Sequence, residues 1–312
     1  MEHKSVLLDE TIDLMGIKPN GIYVDGTLGR GGHAAALSRK LQNGKLYAFD
    51  KDAAAFKESM KALLPYSDKI VFIHSDFRCI KEQLAQRGVY GVDGVMLDLG
   101  VSSPQFDDAS RGFSYRFDSR LDMRMDQSQA KDACQVVNTY SVDELTRIFR
   151  EYGEERYARS IAQAIERSRK EAPIVTTGQL VDVVRQALPN KELRKKGHPA
   201  KQTFQALRIE VNDELGALRQ CLIDVMELLN PGGRCAVITF HSLEDRTVKS
   251  IFKEYSSAPF VEPRLPLTET QMEQASFHLV TKKPVVPQED ELIANNRAHS
   301  AKLRVIERNS DV

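Results

Sequence analysis

The chain has 312 residues, 41% of them hydrophobic, which suits one large folded core or a core with a smaller second domain. No apolar run approaches the ~20 residues of a transmembrane helix, and no apolar signal stretch follows the first residues, so we expect a cytoplasmic protein without a membrane partner. The formal net charge is zero, but residues 111–201 carry 18 Lys and Arg against 13 Asp and Glu, which makes the middle of the chain its basic part.

The four cysteines do not follow a pattern typical of metal or disulfide sites. They are Cys79, Cys134, Cys221 and Cys235, and no two are spaced as a C-x-x-C pair. Each lies in an apolar or mixed segment, so we expect small buried hydrophobic side chains, with no bound metal and no disulfide framework.

Strands and helices alternate through the first hundred residues. Predicted strands cover residues 22–25, 46–50, 70–73 and 94–98, and predicted helices cover 33–41, 52–64 and 80–86. Asp52 is the expected N-cap of the second helix, and Gly88 closes the third. Because right-handed crossovers place helices on both faces of a parallel sheet, this order predicts a Rossmann-like α/β fold.

The pattern changes after residue 98. Residues 99–128 are interpreted as a long functional loop, and only helical patterns follow from about 130 to 188, with Thr177 as a candidate N-cap. The α/β alternation then returns, with a helix over 214–229, a strand over 234–240, a helix over 243–255 and a strand over 302–306. We therefore predict a first domain made of residues 1–107 and 215–312, interrupted by a mainly helical substrate-recognition domain over 108–214.

A glycine-rich turn, Asp25-Gly-Thr-Leu-Gly-Arg-Gly-Gly-His33, follows the first predicted strand. Glycines there let the backbone approach a ligand and open a helix whose N–H groups point at it. Gly29, Gly31 and Ala34 fit the loose dinucleotide-binding pattern, which by itself is a weak signal. A tight turn without a ligand is the alternative.

Acidic residues at the strand ends discriminate between cofactors. Asp25 would repel a pyrophosphate but suits the ammonium and sulfonium of S-adenosylmethionine, and Asp50 is placed to bind both ribose hydroxyls. Asp76 can accept a hydrogen bond from an adenine amino group, and Phe77 can stack on the ring. An ordinary helix cap at Asp50 and a plain core position for Phe77 are the alternatives. Together these features favour S-adenosylmethionine over a nicotinamide cofactor.

The segment Asp98-Leu-Gly-Val-Ser-Ser-Pro-Gln105 follows the fourth strand, where an open α/β sheet presents its ligands. Enzymes that methylate exocyclic amines of bases often carry Asp, Asn or Ser before Pro-Pro and an aromatic residue here, because acceptors around the rigid turn hold the amine N–H groups. Ser102, Ser103 and Pro104 are therefore candidate catalytic residues, although Gln105 stands in place of the second Pro. A purely structural Pro turn is the alternative.

These motifs, with others in the same order, resemble the MraW family over nearly the whole chain. The resemblance is carried by residues 3–10, 25–33, 98–105, 111–114, 121–126, 152–156, 203–206, 240–246 and 297–304. It implies a class I S-adenosylmethionine-dependent methyltransferase sheet with an inserted helical domain. It also implies methylation of N4 of a decoding-centre cytosine (position 1402) in bacterial 16S rRNA, within the small ribosomal subunit.

The resemblance further implies which side chains serve the reaction. The methyl donor would contact Gly31, Gly32, His33, Asp50, Phe77, Asp98 and Gln105. At a helix start, His33 could equally be a cap, and His241, just after a predicted strand, either assists the reaction or shapes the pocket. Because none of the four cysteines lies in either ligand loop, we expect direct in-line transfer to the amine without a covalent enzyme–base intermediate.

Other functions stay open. A nicotinamide oxidoreductase on the same fold is disfavoured by Asp25, and an inactive RNA-binding module is disfavoured by the intact cofactor motifs. A methyltransferase with a DNA or protein acceptor is the main alternative. The cations between Arg185 and Lys201 either touch RNA phosphate or form a solvated surface. An oligomer is compatible with the sequence.

Overall fold

The computed structural model describes residues 5–101, 105–106, 108–258 and 275–310. The chain divides into two compact units, one made of residues 1–100 with 215–312 and the other of residues 101–214. The first boundary lies seven residues before the one expected from the sequence, and a role of the second unit in substrate recognition stays a prediction. None of the helices in the described ranges is long and apolar enough to cross a membrane.

A seven-stranded sheet forms the centre of the first unit. Its strands are β1 (Ile22–Asp25), β2 (Lys45–Asp50), β3 (Ile70–His74), β4 (Val92–Asp98), β5 (Leu229–Thr239), β6 (Phe277–Leu279) and β7 (Lys302–Arg308). They lie in the order β3-β2-β1-β4-β5-β7-β6. The first five strands are parallel, whereas β7 is antiparallel to both β5 and β6. This is a Rossmann-like sheet in which β7 alone runs opposite to the other strands.

Helices accompany the sheet and make up most of the second unit. In chain order they are α1 (Leu8–Leu14), α2 (Gly32–Lys40), α3 (Ala53–Ala62), α4 (Ile80–Ala85), α5 (Ala133–Thr139), α6 (Val142–Glu151), α7 (Ala158–Glu171), α8 (Thr177–Ala187), α9 (Asn190–Leu193), α10 (Lys201–Asn212), α11 (Glu214–Leu228), α12 (Ser242–Tyr255) and α13 (Glu289–Ala294). The predicted Rossmann-like α/β class with a helical insertion is confirmed.

Both faces of the sheet are covered. Tyr23 and Val24 are neighbours on β1, and both are fully buried, but they belong to two different hydrophobic clusters. Successive side chains of a strand point to opposite faces, so a buried pair of this kind requires helices on each side. Because both faces of β1 are buried, its sequence does not alternate between apolar and polar residues as a half-exposed strand would.

The second unit has its own hydrophobic core. Fully buried side chains from successive helices meet there, among them Phe149 of α6, Ile161 of α7 and Leu180 of α8. Thr176 caps α8, because its side chain accepts from Gln179 N–H while the Gln179 side chain accepts from the Thr176 backbone. The prediction of Thr177 as the cap is wrong, since the Thr177 hydroxyl donates instead to the Phe117 carbonyl at 2.7 Å.

The cysteines divide into two pairs. Cys221 and Cys235 are fully buried in the core of the first unit. Cys79 and Cys134 are only half-buried, so the prediction that all four are buried is wrong for these two. Cys79 ends a single 3-10 turn and Cys134 lies in the first turn of α5, where one side of each residue stays accessible.

Candidate functional site

Three acidic residues end three neighbouring parallel strands. Asp25 ends β1, Asp50 ends β2 and Asp98 ends β4. β1 lies between β2 and β4 and is parallel to both. The register pairs Asp25 with Ala48 and Met96, so Asp50 and Asp98 each extend two residues further along the strand direction. The carboxyl ends of the strands therefore place all three acids at one edge of the sheet, where open α/β sheets bind ligands.

The glycine-rich turn is fastened to the strands on either side of it. Gly26 N–H donates to the Met96 carbonyl at 3.0 Å, and Leu28 N–H donates to the Phe49 carbonyl at 2.8 Å. Thr27 adds a third tie, because its hydroxyl oxygen accepts from Asp98 N–H at 2.6 Å. Sequence reasoning missed Thr27, although it lies inside the motif. These bonds hold the turn across the ends of β2 and β4.

Two glycines of this turn have neighbours that leave no room for a side chain. Gly31 has a φ of +76°, and a Cβ there would lie 2.9 Å from Leu63 Cδ1. A Cβ on Gly32 would collide with the Ser5 hydroxyl. Packing within the protein thus explains both glycines, and they do not by themselves require a ligand. They do bring the backbone at the start of α2 to the edge where the acids lie.

Asp50 is held in a fixed orientation by two backbone N–H groups. Its Oδ2 accepts from Gly29 N–H and its Oδ1 from Asp52 N–H, both at 2.9 Å. Burial raises the pKa of Asp50 to about 6, opposed by these two hydrogen bonds. Asp52, as predicted, caps α3 through a 3.0 Å bond from Ala54 N–H. Asp50 is therefore not the helix cap, and its remaining lone pairs suit an adjacent pair of hydroxyl donors.

A small, half-open pocket lies at the same edge. It is lined by Thr11, Asp25, His33, Met96, Leu97, Asp98 and Ile238. Three polar atoms of this lining are buried without a hydrogen-bond partner among the described residues: Thr11 Oγ1, His33 Nε2 and Asp98 Oδ1. Buried polar atoms are rarely left without partners. Three such atoms belong to the residues that line this one pocket, so its wall offers unused hydrogen-bonding groups to a polar ligand.

The electrostatics of the pocket favour a cation. Burial raises the pKa of Asp98 to about 8, and the nearby Asp25 raises it further toward that value. Burial likewise raises the pKa of Asp25 to about 7, despite a hydrogen bond from Thr27 N–H. Two buried carboxyl groups that repel each other gain from a positive charge placed between them. A pyrophosphate would add to the repulsion, which argues against a nicotinamide cofactor here.

His33 contributes an uncharged ring to the pocket. Burial lowers its pKa to about 4, while a hydrogen bond to the Val6 backbone acts in the opposite direction. Its Nδ1 lies 3.7 Å from Asp98 Oδ2. The imidazole is neutral at pH 7, so this contact is not a charged pair. The other His33 nitrogen is available as a neutral donor or acceptor toward a ligand.

Phe77 and Asp76 follow β3. Phe77 begins a single 3-10 turn and is half-buried, with part of its side chain packed on the core of the first unit. Asp76 caps this turn through a 2.9 Å bond from Arg78 N–H, and its other oxygen lies 3.3 Å from Lys51 Nζ. Phe77 therefore packs on the core, as the alternative interpretation expected. Its side chain is only partly buried, and stacking of the accessible part on the adenine ring stays a prediction. The sequence did not reveal the pairing of Asp76 with Lys51.

The remaining predicted residues are not all part of this pocket. His241 caps α12, with its Nδ1 accepting from Glu244 N–H at 3.4 Å, and its Nε2 lies 3.1 Å from Glu244 Oε1. It does not line the pocket described above. Gln105 is buried and belongs to the second unit. The candidate catalytic residues Ser102, Ser103 and Pro104 lie outside the described residues.

Comparison with known proteins settles the family. The sequence profile of the MraW methylase family matches residues 1–309. The chain belongs to the MraW methylase family. It is 52% identical to the ribosomal RNA small subunit methyltransferase H of Limosilactobacillus fermentum over 308 residues, 98% of each chain. The resemblance seen in the motifs is confirmed.

Two solved structures are also similar in overall extent. A crystal structure of an rRNA methylase from Streptococcus thermophilus covers 99% of each chain, with 10% identity and a TM-score of 0.45. The protein SMU.1697c from Streptococcus mutans, solved in complex with SAH, covers 98% of this chain and 99% of its own, with 12% identity and a TM-score of 0.42.

Membership defines the class of enzyme. The family consists of S-adenosylmethionine-dependent methyltransferases, so the predicted methyl donor is confirmed. The donor is a cation at its sulfonium, and the carboxyl groups of Asp25 and Asp98 suit that charge. The carboxylate of Asp50, with both oxygens oriented, suits the ribose hydroxyls. The residues at the strand ends therefore fit the cofactor of the family.

Proposed function

We propose that this enzyme methylates N4 of a decoding-centre cytosine in bacterial 16S rRNA, acting in the cytoplasm on the small ribosomal subunit. The observation that carries the proposal is the convergence of Asp25, His33 and Asp98 on a pocket with unpartnered polar atoms, in a chain 52% identical to a small-subunit rRNA methyltransferase. The pocket supports the donor half of the reaction. The relative supports the acceptor half.

Each donor-binding role is assigned by chemistry. Asp50 binds the two ribose hydroxyls, since both its oxygens are already oriented by backbone N–H groups. Asp25 and Asp98 face the cationic methionine end, beside His33 and the backbone of Gly31 and Gly32. Phe77 packs on the adenine. Gln105, buried in the second unit, remains a predicted contact of the donor.

The reaction requires positioning more than acid–base strength. The bound donor supplies a methyl group on a positively charged sulfur, which is a good leaving group. The cytosine N4 lone pair would attack the methyl carbon in line with the carbon–sulfur bond. That bond would break to leave S-adenosylhomocysteine, and the methylated amine would pass one proton to solvent water. The N4 lone pair is delocalised into the ring, so acceptors from Ser102, Ser103 and Pro104 would hold the amine N–H groups and expose it.

His241 has a supporting place in this proposal. Its Nδ1 accepts the N–H of Glu244 at the first turn of α12, and the Glu244 carboxylate accepts Phe240 N–H at 2.7 Å. This arrangement fixes the chain just after β5. We assign His241 to shaping the end of β5 rather than to accepting the amine proton.

A methyl-transfer assay with three acceptors tests the proposal. Labelled S-adenosylmethionine is supplied with small ribosomal subunits, naked 16S rRNA or duplex DNA, and the labelled nucleoside is identified by mass spectrometry. We expect N4-methylated cytidine from the small subunit or its rRNA and no labelled DNA. Labelling of DNA, or of a protein of the subunit in place of the RNA, would support the alternative methyltransferase with another acceptor. Recovery of a nicotinamide from the purified protein would support the oxidoreductase.

A further inference from the structure

Cations from three parts of the second unit lie close to one another. Most of them lie in residues 190–201, which comprise the short helix α9, the loop after it and the first residue of α10. Arg185, in the last turn of α8, is near enough to His198 of this loop to lower its pKa. Arg156, just before α7, is near enough to Glu192 of α9 to lower the pKa of that carboxyl group. Three elements thus contribute to one positively charged region.

The acid within this region is already neutralised. Lys195 Nζ lies 2.6 Å from Glu192 Oε2, and this bond lowers the pKa of the Glu192 carboxyl group. Four other cations are exposed, and none of them has a salt bridge within the part of the chain that the structure describes. They are Lys191, Arg194, Lys196 and Lys201. We call these four residues, with Arg185, the basic ledge.

The backbone that presents the basic ledge is held in place by packing. The His198 ring stacks on Tyr115, with centroids 4.2 Å apart and planes 10° from parallel. Tyr115 in turn meets the edge of Phe204 in the core of the second unit, at 5.7 Å. Ala200 is fully buried. The loop is therefore anchored at its carboxyl end, unlike a charged tail that is free in solvent.

Gly197 turns the chain between the cations and this anchor. Its φ is +108°, a conformation that side-chain-bearing residues rarely adopt, and no atom lies within 4 Å of the place where a Cβ would be. The glycine is therefore required by backbone geometry and not by crowding. The reversal lets His198 reach Tyr115 while Lys196 stays exposed.

His198 serves as an anchor and not as a further cation. Burial and then the neighbouring Arg185 lower its pKa from the usual value, so the ring is neutral at pH 7. A neutral ring stacks on Tyr115 without the cost of burying charge. The positive charge of this surface comes from its Lys and Arg side chains.

We propose that the basic ledge binds the phosphate backbone of the RNA substrate and that the Tyr115–His198 stack positions it. The inference rests on the proposed rRNA acceptor. Exposed cations without carboxylate partners are complementary to a polyanion, and ordering them in advance reduces the entropy lost on binding. Phosphate contacts of this kind position an RNA without reading its sequence.

The salt dependence of RNA binding tests the ledge. The variant Arg194→Gln/Lys196→Gln/Lys201→Gln is compared with wild type for binding a fluorescent 16S rRNA fragment between about 50 and 200 mM salt. Each lost single-strand phosphate contact lowers the slope of log K against log salt by about 0.7, so we expect a decrease of about 2 and at least tenfold weaker binding. Donor affinity should be unchanged. An unchanged slope would overturn the proposal.

A matched control removes three charges elsewhere. Arg150, Arg167 and Lys249 are exposed and have no salt bridge among the described residues. Their joint replacement by Gln should leave the slope of log K against log salt within error of wild type. A decrease in this control as large as in the ledge variant would mean that net charge, and not the basic ledge, determines RNA binding. Methylation of small subunits by wild type is measured in parallel. Absence of any rRNA methylation by wild type would refute the proposed function, whatever the ledge variant does.

The anchor has its own test. His198→Ala removes the stack, whereas His198→Phe keeps a flat ring over Tyr115. We expect His198→Ala to weaken RNA binding several-fold with unchanged donor affinity and unchanged thermal unfolding of the whole protein, and His198→Phe to restore binding. Equal RNA affinity of wild type, His198→Ala and His198→Phe would show that the Tyr115–His198 stack does not position the basic ledge.

Discussion

The carboxylate of Asp50, at the end of β2, accepts a 2.9 Å hydrogen bond from the backbone N–H of Gly29 in the turn after β1. A single side chain thus joins the glycine-rich turn to the neighbouring strand. The same carboxylate accepts from Asp52 N–H through its other oxygen, so it cannot rotate without losing a bond. Both oxygens of Asp50 are thus oriented by backbone N–H groups, which supports its proposed role in recognising a pair of hydroxyls.

Replacing Asp50 by Ala should weaken donor binding selectively. The loss of a paired, charged hydrogen bond costs about 2–3 kcal/mol, which corresponds to a decrease in affinity of roughly 30- to 150-fold. RNA affinity should stay within a factor of about two, because the proposed role of Asp50 is in donor binding. Calorimetric titration with S-adenosylmethionine measures the first quantity and fluorescence anisotropy the second. Unchanged donor affinity would contradict the assignment.

Asp52→Ala is the matched control for that variant. Asp52 is two residues away and caps α3. Its removal should cost about 0.5–2 kcal/mol of stability, as loss of an N-cap does, and change donor affinity only a few-fold. A drop in donor affinity as large as that of Asp50→Ala would show that general damage to this loop, rather than ribose recognition, accounts for both results.

The ligand-free protein should become more stable when Asp98 is replaced by Asn. Its pKa is about 8 in the folded protein and near 3.8 in the unfolded chain, so the folded state holds the extra proton and the free energy of unfolding falls as pH rises from about 4 to 8. An asparagine side chain at this position cannot ionise, so we expect Asp98→Asn to gain about 1–3 kcal/mol at pH 8 and nothing at pH 4. Denaturant unfolding at both pH values measures this. A variant less stable than wild type at pH 8 would contradict the buried-charge account.

Donor binding should release protons near neutral pH. A cation favours the ionised forms of Asp25 and Asp98, whose pKa values of about 7 and about 8 leave both partly protonated in the free protein. Donor affinity should therefore rise between about pH 6 and 8, by up to tenfold per unit for each proton released. Calorimetry in buffers of different ionisation enthalpy counts the protons.

The proton count has an internal reference. The amino group of the donor titrates in the same way with every variant, so the difference between wild type and Asp98→Asn isolates the carboxyl group. We expect Asp98→Asn to release fewer protons at pH 7. Equal proton release by the two proteins would mean that Asp98 does not face the cation.

No cysteine should be needed for methyl transfer. Burial raises the pKa of Cys221 and of Cys235 far above the usual value, so neither is a thiolate at pH 7, and burial also raises the pKa of Cys134. Because the half-buried pair is the accessible one, Cys79→Ser/Cys134→Ser should retain single-turnover methylation within about twofold. Cys221→Ala and Cys235→Ala, made separately, test the buried pair. Loss of turnover in any variant that folds and binds the donor would favour a covalent intermediate.

Local sequence signals were sufficient to predict the strand ends and the helix cap around the proposed donor site. Strand ends at Asp25, Asp50 and Asp98, and the cap at Asp52, follow from apolar runs interrupted by acids. The N-cap of α8 was misassigned by one residue, because Thr176 and Thr177 are chemically alike and only the reciprocal bond with Gln179 selects the first.

Contacts between distant residues were beyond local signals. Thr11 of α1 lines the pocket together with Asp98, which lies 87 positions later in the chain. No local pattern in the sequence predicts that these two residues are close in space. The neutral state of His33 likewise depends on burial by the folded chain. His198 and Tyr115 lie near opposite ends of the basic segment 111–201, and the composition of that segment did not predict that their rings stack. Tertiary packing fixed each of these.

The most direct test of the central claim is nucleoside mapping of 16S rRNA by mass spectrometry in cells that lack this protein. The account predicts that one decoding-centre cytosine loses its N4 methyl group, that wild type restores it, and that Asp50→Ala does not. A fully methylated N4 at that cytosine in cells lacking the protein, or a lost methyl group on a different nucleotide or on a protein, would contradict the account.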